Sequence, residues 1–247
     1  MQELTQRVNN IAALQNVAII LLAIKKAMNR PEYLPGLVVV HGPSGYGKTM
    51  ASSYAAANLK AYFVSAKAIW TRKTMLQAIL DEMGIPAKRT TAEMFDQVCE
   101  ELSCSGKPLI IDEFDYCVDC KGLMALTRDI YDNSEAPIIL IGEEMLPSKL
   151  SREERFHNRI LDWIAALPAS MEDAVKLRTL YCDKVKIGDD LLEKVWKISE
   201  GRVRRIVVNL NKIQDTVLSE GKNTVDLISW GKRELIKGEA PAIRRLS

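Results

Sequence analysis

Gly42-Pro43-Ser44-Gly45-Tyr46-Gly47-Lys48-Thr49 fits the pattern G-x-x-x-x-G-K-[ST] at every fixed position. Its flanks fit the same reading. Leu37-Val38-Val39-Val40 comes just before it and reads as a buried strand, and Met50 to Leu59 is compatible with a helix. The glycines let the backbone bend so that successive N–H groups converge on one anion. A helix opening at Gly47-Lys48 adds the positive end of its dipole. Lys48 is then placed for the β- and γ-phosphates of ATP, and the Thr49 hydroxyl for Mg²⁺. A glycine-rich loop arising by chance is the competing reading, and the strand before and helix after weigh against it.

The second strong signal is Pro108-Leu109-Ile110-Ile111-Asp112-Glu113, an apolar strand ending in two acids. In phosphate-loop ATPases the acid ending this strand holds Mg²⁺, a role that falls to Asp112. Glu113 is placed to polarise an attacking water. A plain turn would also tolerate Asp-Glu, and Asp115 reads as a possible helix cap.

Between these signals, Ala61 to Ser65 reads as a strand and Thr71 to Met83 as a helix. Thr90-Thr91-Ala92-Glu93 is a capping box for a helix running to about Leu102. After the acids come a helix at 122–131, a strand at 137–142 with Glu143-Glu144 at its end, a short polar helix at 151–156, and a last strand after Arg159. A helix over 5–29 precedes the first strand. Five strands alternating with helices imply an α/β fold, a parallel sheet covered on both faces. After Pro168 the pattern is all helical, at 171–182, 190–199, 202–218 and 224–236. The expected division is a nucleotide-binding core over 1–168, a helical lid over 169–237 and a loose tail over 238–247.

The chain has 247 residues, 47% of them hydrophobic, enough for one large domain or a core plus a small one. Its net charge of +2 gives no polycationic signal. The excess is uneven, since residues 1–166 carry −2 and residues 167–247 carry +4. That skew suits either an anionic partner or a solvated helical surface. No stretch reaches the length of a membrane span, and Met1-Gln2-Glu3-Leu4 lacks the parts of a signal peptide, so a cytoplasmic protein without a membrane partner is expected. Cys117-Val118-Asp119-Cys120 has metal or redox spacing, with Cys99 and Cys104 as conceivable further ligands. Cys104 and Cys117 flank a strand at opposite ends, more than about 15 Å apart, so reduced structural thiols are the better reading.

Taken together, the phosphate loop, the Asp-Glu strand end and the helical C-terminal part resemble the AAA+ ATPase superfamily. Within it, several stretches are similar to the phage Mu transposition protein B family. They are Val38 to Gly42 with the loop, Leu109 to Asp115, Ile139 to Gly142, Phe156 to Ile160 and Gly201 to Ile206. The resemblance implies that Arg159 is an arginine finger reaching a neighbouring subunit's γ-phosphate, with Arg152 and Arg155 as alternates. A structural pairing of Arg159 with Asp162 or Glu154 is the other reading. It also implies that Arg204 is the sensor arginine of the lid. Glu143 falls at the first sensor position, where Asn, Thr or Ser is usual, and a carboxylate there departs from the pattern. The resemblance further implies a homo-oligomer, filament or ring, on double-stranded DNA without strong sequence preference, delivering target DNA to a transposase. Lys67, Arg72, Lys73 and Lys121, with Trp70 among them, are the candidate phosphate contacts. A replication-type helicase loader or initiator, or a regulatory ATP-binding scaffold without DNA, stand as alternatives.

Overall fold

The computed structural model describes residues 14–120 and 122–238. The expected helix at 5–29 lies partly outside this range, as do Lys121 and most of the expected tail, from 239 onward. The chain divides into two compact units. Among the described residues, one comprises 16–44 and 48–167, and the other takes in 14–15, 45–47 and 168–238.

The first unit is built in chain order from α1 (Gln15–Met28), β1 (Leu37–His41), α2 (Lys48–Leu59), β2 (Tyr62–Ser65), α3 (Arg72–Met83), α4 (Thr91–Ser105), β3 (Leu109–Asp112), α5 (Asp115–Asp119), α6 (Leu123–Ser134), β4 (Ile138–Gly142), α7 (Leu146–Leu150), α8 (Glu154–His157) and β5 (Ile160–Ala165). The five strands form one parallel sheet in the order β2-β3-β4-β1-β5. The three central strands carry unbroken apolar runs because both of their faces are covered. β5 closes the sheet at one edge and is only half buried. Leu37, Val39, Leu109, Ile111, Ile138 and Leu140 pack with Leu76, Ile79, Val98, Leu102, Leu126 and Ile130 in one core. This side of the sheet is therefore lined by α3, α4 and α6.

Helix ends follow the sequence signals closely. Thr90 accepts the Glu93 N–H, and the Glu93 carboxylate accepts the Thr90 N–H, which makes the expected capping box. Thr71 caps α3 in the same manner with Thr74. α2 begins at Lys48, in line with a helix opening at Gly47-Lys48. The single polar helix expected at 151–156 is instead two short ones, α7 and α8.

The second unit contains α9 (Met171–Tyr181), β6 (Lys186–Ile187), α10 (Asp189–Ser199), α11 (Val203–Ser219), β7 (Thr224–Val225) and α12 (Leu227–Trp230). Leu177, Leu191, Leu192, Val195, Ile206, Leu210, Ile213 and Trp230 are among its buried side chains. The all-helical expectation is corrected in two places. Lys186-Ile187 and Thr224-Val225 pair as a two-stranded parallel ribbon. The fourth helix is one turn, not 224–236. Asp226 caps it, and Asn209, fully buried, then holds the extended chain beyond it. The Asn209 amide donates to Ile236 O (2.9 Å) and accepts from Ile236 N (2.7 Å), standing in for a neighbouring strand.

Candidate functional site

Parallel strands point their carboxyl ends the same way, and in open α/β sheets ligands bind outside those ends. Here that edge gathers the loop after β1, the acids after β3 and the acids after β4. Gly45 (φ 88°) and Gly47 (φ 82°) hold the left-handed backbone that lets the loop curl, a region costly for residues with a Cβ. Lys48 turns its ammonium back on the loop, donating to the carbonyl oxygens of Gly42 (2.6 Å) and Pro43 (3.1 Å). Burial lowers its affinity for a proton, and Asp112, Glu113, Glu143 and Asp115 act in the opposite direction without cancelling that effect. Thr49 is exposed at the first turn of α2, and Pro43, Ser44 and Tyr46 line the loop between the glycines.

Asp112 is buried at the end of β3 and accepts the Glu113 N–H through its carboxylate (2.9 Å). Glu113 itself has a φ of 55°, rare for a residue that is not glycine. Its carboxyl is pushed above the ordinary range by burial and then by Asp112, with Lys48 pulling the other way. Such strain gathers at functional sites. One ammonium thus faces several carboxylates, a surplus that suits a divalent cation. Among the described residues no three His, Cys, Asp or Glu side chains are grouped to hold a metal ion by themselves. A Mg²⁺ held by Asp112 and Thr49 fits only with phosphate oxygens completing its shell, which is how Mg²⁺ usually binds. The glycine cradle, the ammonium and the acid pair fit a nucleoside triphosphate and its metal.

Glu143 follows β4 with an exposed side chain, and its backbone N–H is taken by Asp115 (2.7 Å). Sequence reasoning left Asp115 as a possible cap. The structure makes it a buried acceptor that also meets Lys149 (3.3 Å), a residue the sequence did not single out. Burial pulls the Lys149 ammonium down, and hydrogen bonds to Asp119 and Asp115 more than offset this. His41 ends β1 with its Nδ1 buried and unpaired. Burial, then Lys48, lowers its proton affinity, and Glu144 partly opposes them.

Arg159 sits elsewhere, at the amino edge of the sheet just before β5. Its guanidinium is gripped by Asp132, with Nη2 to Oδ2 at 2.7 Å and Nε to Oδ1, and it also donates to Arg155 O. The partners expected from sequence, Asp162 and Glu154, are not the ones it takes. Asp162 pairs with Lys26 instead (2.7 Å). Arg152 and Arg155 are exposed. In the second unit Arg204 lies exposed near the start of α11. Within that unit its N–H donates to Gly45 O (3.3 Å), and the Arg202 guanidinium lies 5.8 Å from the Tyr46 ring centre.

Lys67, Arg72 and Lys73 are exposed around the start of α3. Trp70 does not stand among them on the surface. It is buried in the core, and its N–H closes a turn on Lys67 O (2.9 Å). All five cysteines are free, and burial pushes the Cys99 and Cys117 thiols up to about 12.

The sheet order, the loop and the helical C-terminal part are those of the AAA+ ATPase fold. Residues 32–150 match the family model described as an AAA domain. Among curated proteins the chain is similar to Cell division protein C of Sulfolobus acidocaldarius, 26% identical over 216 residues, covering 78% of this chain and 54% of that protein. Among solved structures it resembles Cdc6p from Pyrobaculum aerophilum, with a TM-score of 0.64 at 14% identity over 85% of this chain and 63% of that one. It also resembles the Aeropyrum pernix Orc1 protein in complex with DNA, with a TM-score of 0.62 at 16% identity over 85% of this chain and 61% of that one. The Thermotoga maritima RuvB Holliday junction branch migration motor gives a TM-score of 0.59 at 21% identity, over 85% of this chain and 65% of that one. The chain thus spans little more than half of the curated relative and under two thirds of these solved ones. No helix among the described residues is long and apolar enough to cross a membrane.

Proposed function

We propose that this chain binds ATP with Mg²⁺, hydrolyses it, and couples the nucleotide state to duplex DNA in the manner of a replication-type initiator or loader. The observation that carries the ATPase reading is the carboxyl edge of the sheet. There Lys48, turned onto its own glycine loop, faces Asp112 and a Glu113 of raised basicity. Lys48 and the loop N–H groups hold the phosphates, while Thr49 and Asp112 hold the metal. The metal supplies charge neutralisation on the β- and γ-oxygens. Glu113 takes the proton of the attacking water. Arg159 serves as the finger offered to a neighbouring copy in a ring or filament, and Arg204 as the sensor of the C-terminal unit. Glu143 is an unusual first sensor, and its charge argues for slow turnover.

The DNA reading draws on the solved relatives, one of them in complex with DNA and another named a branch migration motor. The exposed cations Lys67, Arg72 and Lys73 supply the chemistry. Delivery of DNA to a transposase rests on the short motif similarities alone, and none of the relatives above adds to it. A second reading is favoured by the curated relative, whose name is that of a cell division protein. In it the chain is an ATP-driven scaffold for a protein partner.

Titration with a fluorescent ATP analogue tests the core of the proposal. Lys48→Ala should weaken binding by about 100-fold, roughly 2.7 kcal/mol. Anisotropy of a labelled duplex, with and without MgATP at two salt concentrations, separates the two readings. Retention that needs nucleotide and falls steeply with salt supports DNA coupling. Retention indifferent to nucleotide leaves the scaffold.

A further inference from the structure

Asp115 is two residues past the acid pair, and the roles proposed above leave it without one. Its side chain is buried, and each carboxylate oxygen has a partner on a different element. Oδ2 accepts the Glu143 N–H just after β4 (2.7 Å), and Oδ1 meets the Lys149 ammonium on α7 (3.3 Å). The fit is tight. A Cβ at Gly142 would stand 2.3 Å from Oδ2 and 2.6 Å from Leu146 Cδ2, so position 142 has no room for a side chain while Asp115 keeps this pose.

The consequence lies two residues back. Glu113 holds a left-handed backbone, which persists only where the surroundings over-determine it. Three bonds do so. The Glu113 N–H goes to Asp112 Oδ1 (2.9 Å), Phe114 N–H goes to Ile141 O (2.8 Å), and Asp115 takes the Glu143 N–H. The last two stitch the turn after β3 to the end of β4, so the Glu113 and Glu143 side chains leave one braced frame.

We infer that Asp115 is a positioning residue, which sets Glu113 and Glu143 relative to each other by bridging the end of β4 and Lys149. The inference rests on the proposed role of Glu113 and deepens it. It predicts a split that a merely structural acid would not give. Asp115→Ala should lower kcat for ATP by about 10- to 100-fold, since misplacing a reacting group by about 1 Å costs up to that much. KM and the affinity for a fluorescent ADP analogue should stay within about twofold, because the glycine loop is not touched. Asp115→Asn keeps an oxygen for the Glu143 N–H and should recover most of the rate.

Both variants are compared with the intact chain by steady-state hydrolysis, after circular dichroism has shown that they fold. A kcat for Asp115→Ala within twofold of the parent overturns the inference, as does Asn doing no better than Ala. Hydrogen exchange with MgATP bound gives a readout independent of turnover. Amides of 113–115 and 141–143 should exchange faster in Asp115→Ala and unchanged in Asp115→Asn, and equal protection in all three chains also overturns it. If the parent chain hydrolyses nothing, the role of Glu113 fails, and the exchange experiment still decides whether Asp115 braces the frame.

Discussion

The two edges of the sheet are electrostatic opposites. At the carboxyl edge Asp112, Glu113 and Glu143 act on Lys48, whose ammonium donates to its own loop carbonyls, while Asp115 meets a second lysine, Lys149. At the amino edge Arg159 is neutralised by a forked pair with Asp132, and that hydrogen bonding holds it charged against the opposing effect of burial. The first edge carries more carboxylates than ammonium groups, while the Arg159–Asp132 pair at the second is complete within one chain. A finger at Arg159 must therefore exchange a carboxylate for a phosphate, or offer the N–H groups that Asp132 and Arg155 leave over. Guanidinium has five donors, so the second route is open.

The sharpest way to break this contrast is at the amino edge. Arg159→Ala should remove about 10³-fold of any turnover that depends on protein concentration, the range of an arginine finger. Affinity for the ATP analogue should not change. Turnover that still rises with concentration in the variant would assign Arg159 to the Asp132 pair alone. At the carboxyl edge, Glu113→Gln should lower turnover by about 10²-fold or more while retaining nucleotide, as expected for loss of a general base. Equilibrium binding and single-turnover hydrolysis separate the two effects. Weaker still is Asp132→Asn. The pair is about a third exposed, and such pairs are worth up to about 1 kcal/mol. The melting temperature should fall by about 2–4 °C, less in high salt. An unchanged melt would mean that Arg159 is already balanced by solvent.

What could be read from the chain alone divides along the same physical lines. Val38 to Val40 and Leu109 to Ile111 were legible because strands buried on both faces must be apolar throughout. The phosphate loop was legible because its backbone geometry admits few residues, and the Thr90–Glu93 box because both of its bonds are local. The misses are long-range. Lys186-Ile187 and Thr224-Val225 have no period of two residues to reveal them, and each becomes a strand only by finding the other. Ile228, inside the expected 224–236 helix, is 89% exposed. Asp132 reaches Arg159 from 27 residues away, and Asp115 reaches Glu143 from 28. Nothing near either carboxylate in sequence announces its partner. Trp70 between two cationic positions suggested a surface aromatic, but its size drew it into the core.

The smallest expected effect belongs to His41, and it tests whether the carboxyl edge is strained by its own burial as well as by charge. The imidazole has a buried, unpaired Nδ1 and a proton affinity below its ordinary value near 6.5, through burial first and then Lys48, with Glu144 opposing. A base whose folded value is depressed stays neutral in the native state while the unfolded chain begins to take up a proton. Stability is therefore full above about pH 6.5 and is lost as the pH falls from there through the folded value. Below both values this group adds no further slope. His41→Gln abolishes the step, so its urea midpoint should fall less than that of the parent between pH 7.5 and pH 5. The carboxylates contribute equally to both chains, which makes the difference between the two drops the quantity to read. Equal drops would mean that the imidazole already finds a proton acceptor in the folded protein, with Glu144 as the residue to examine next.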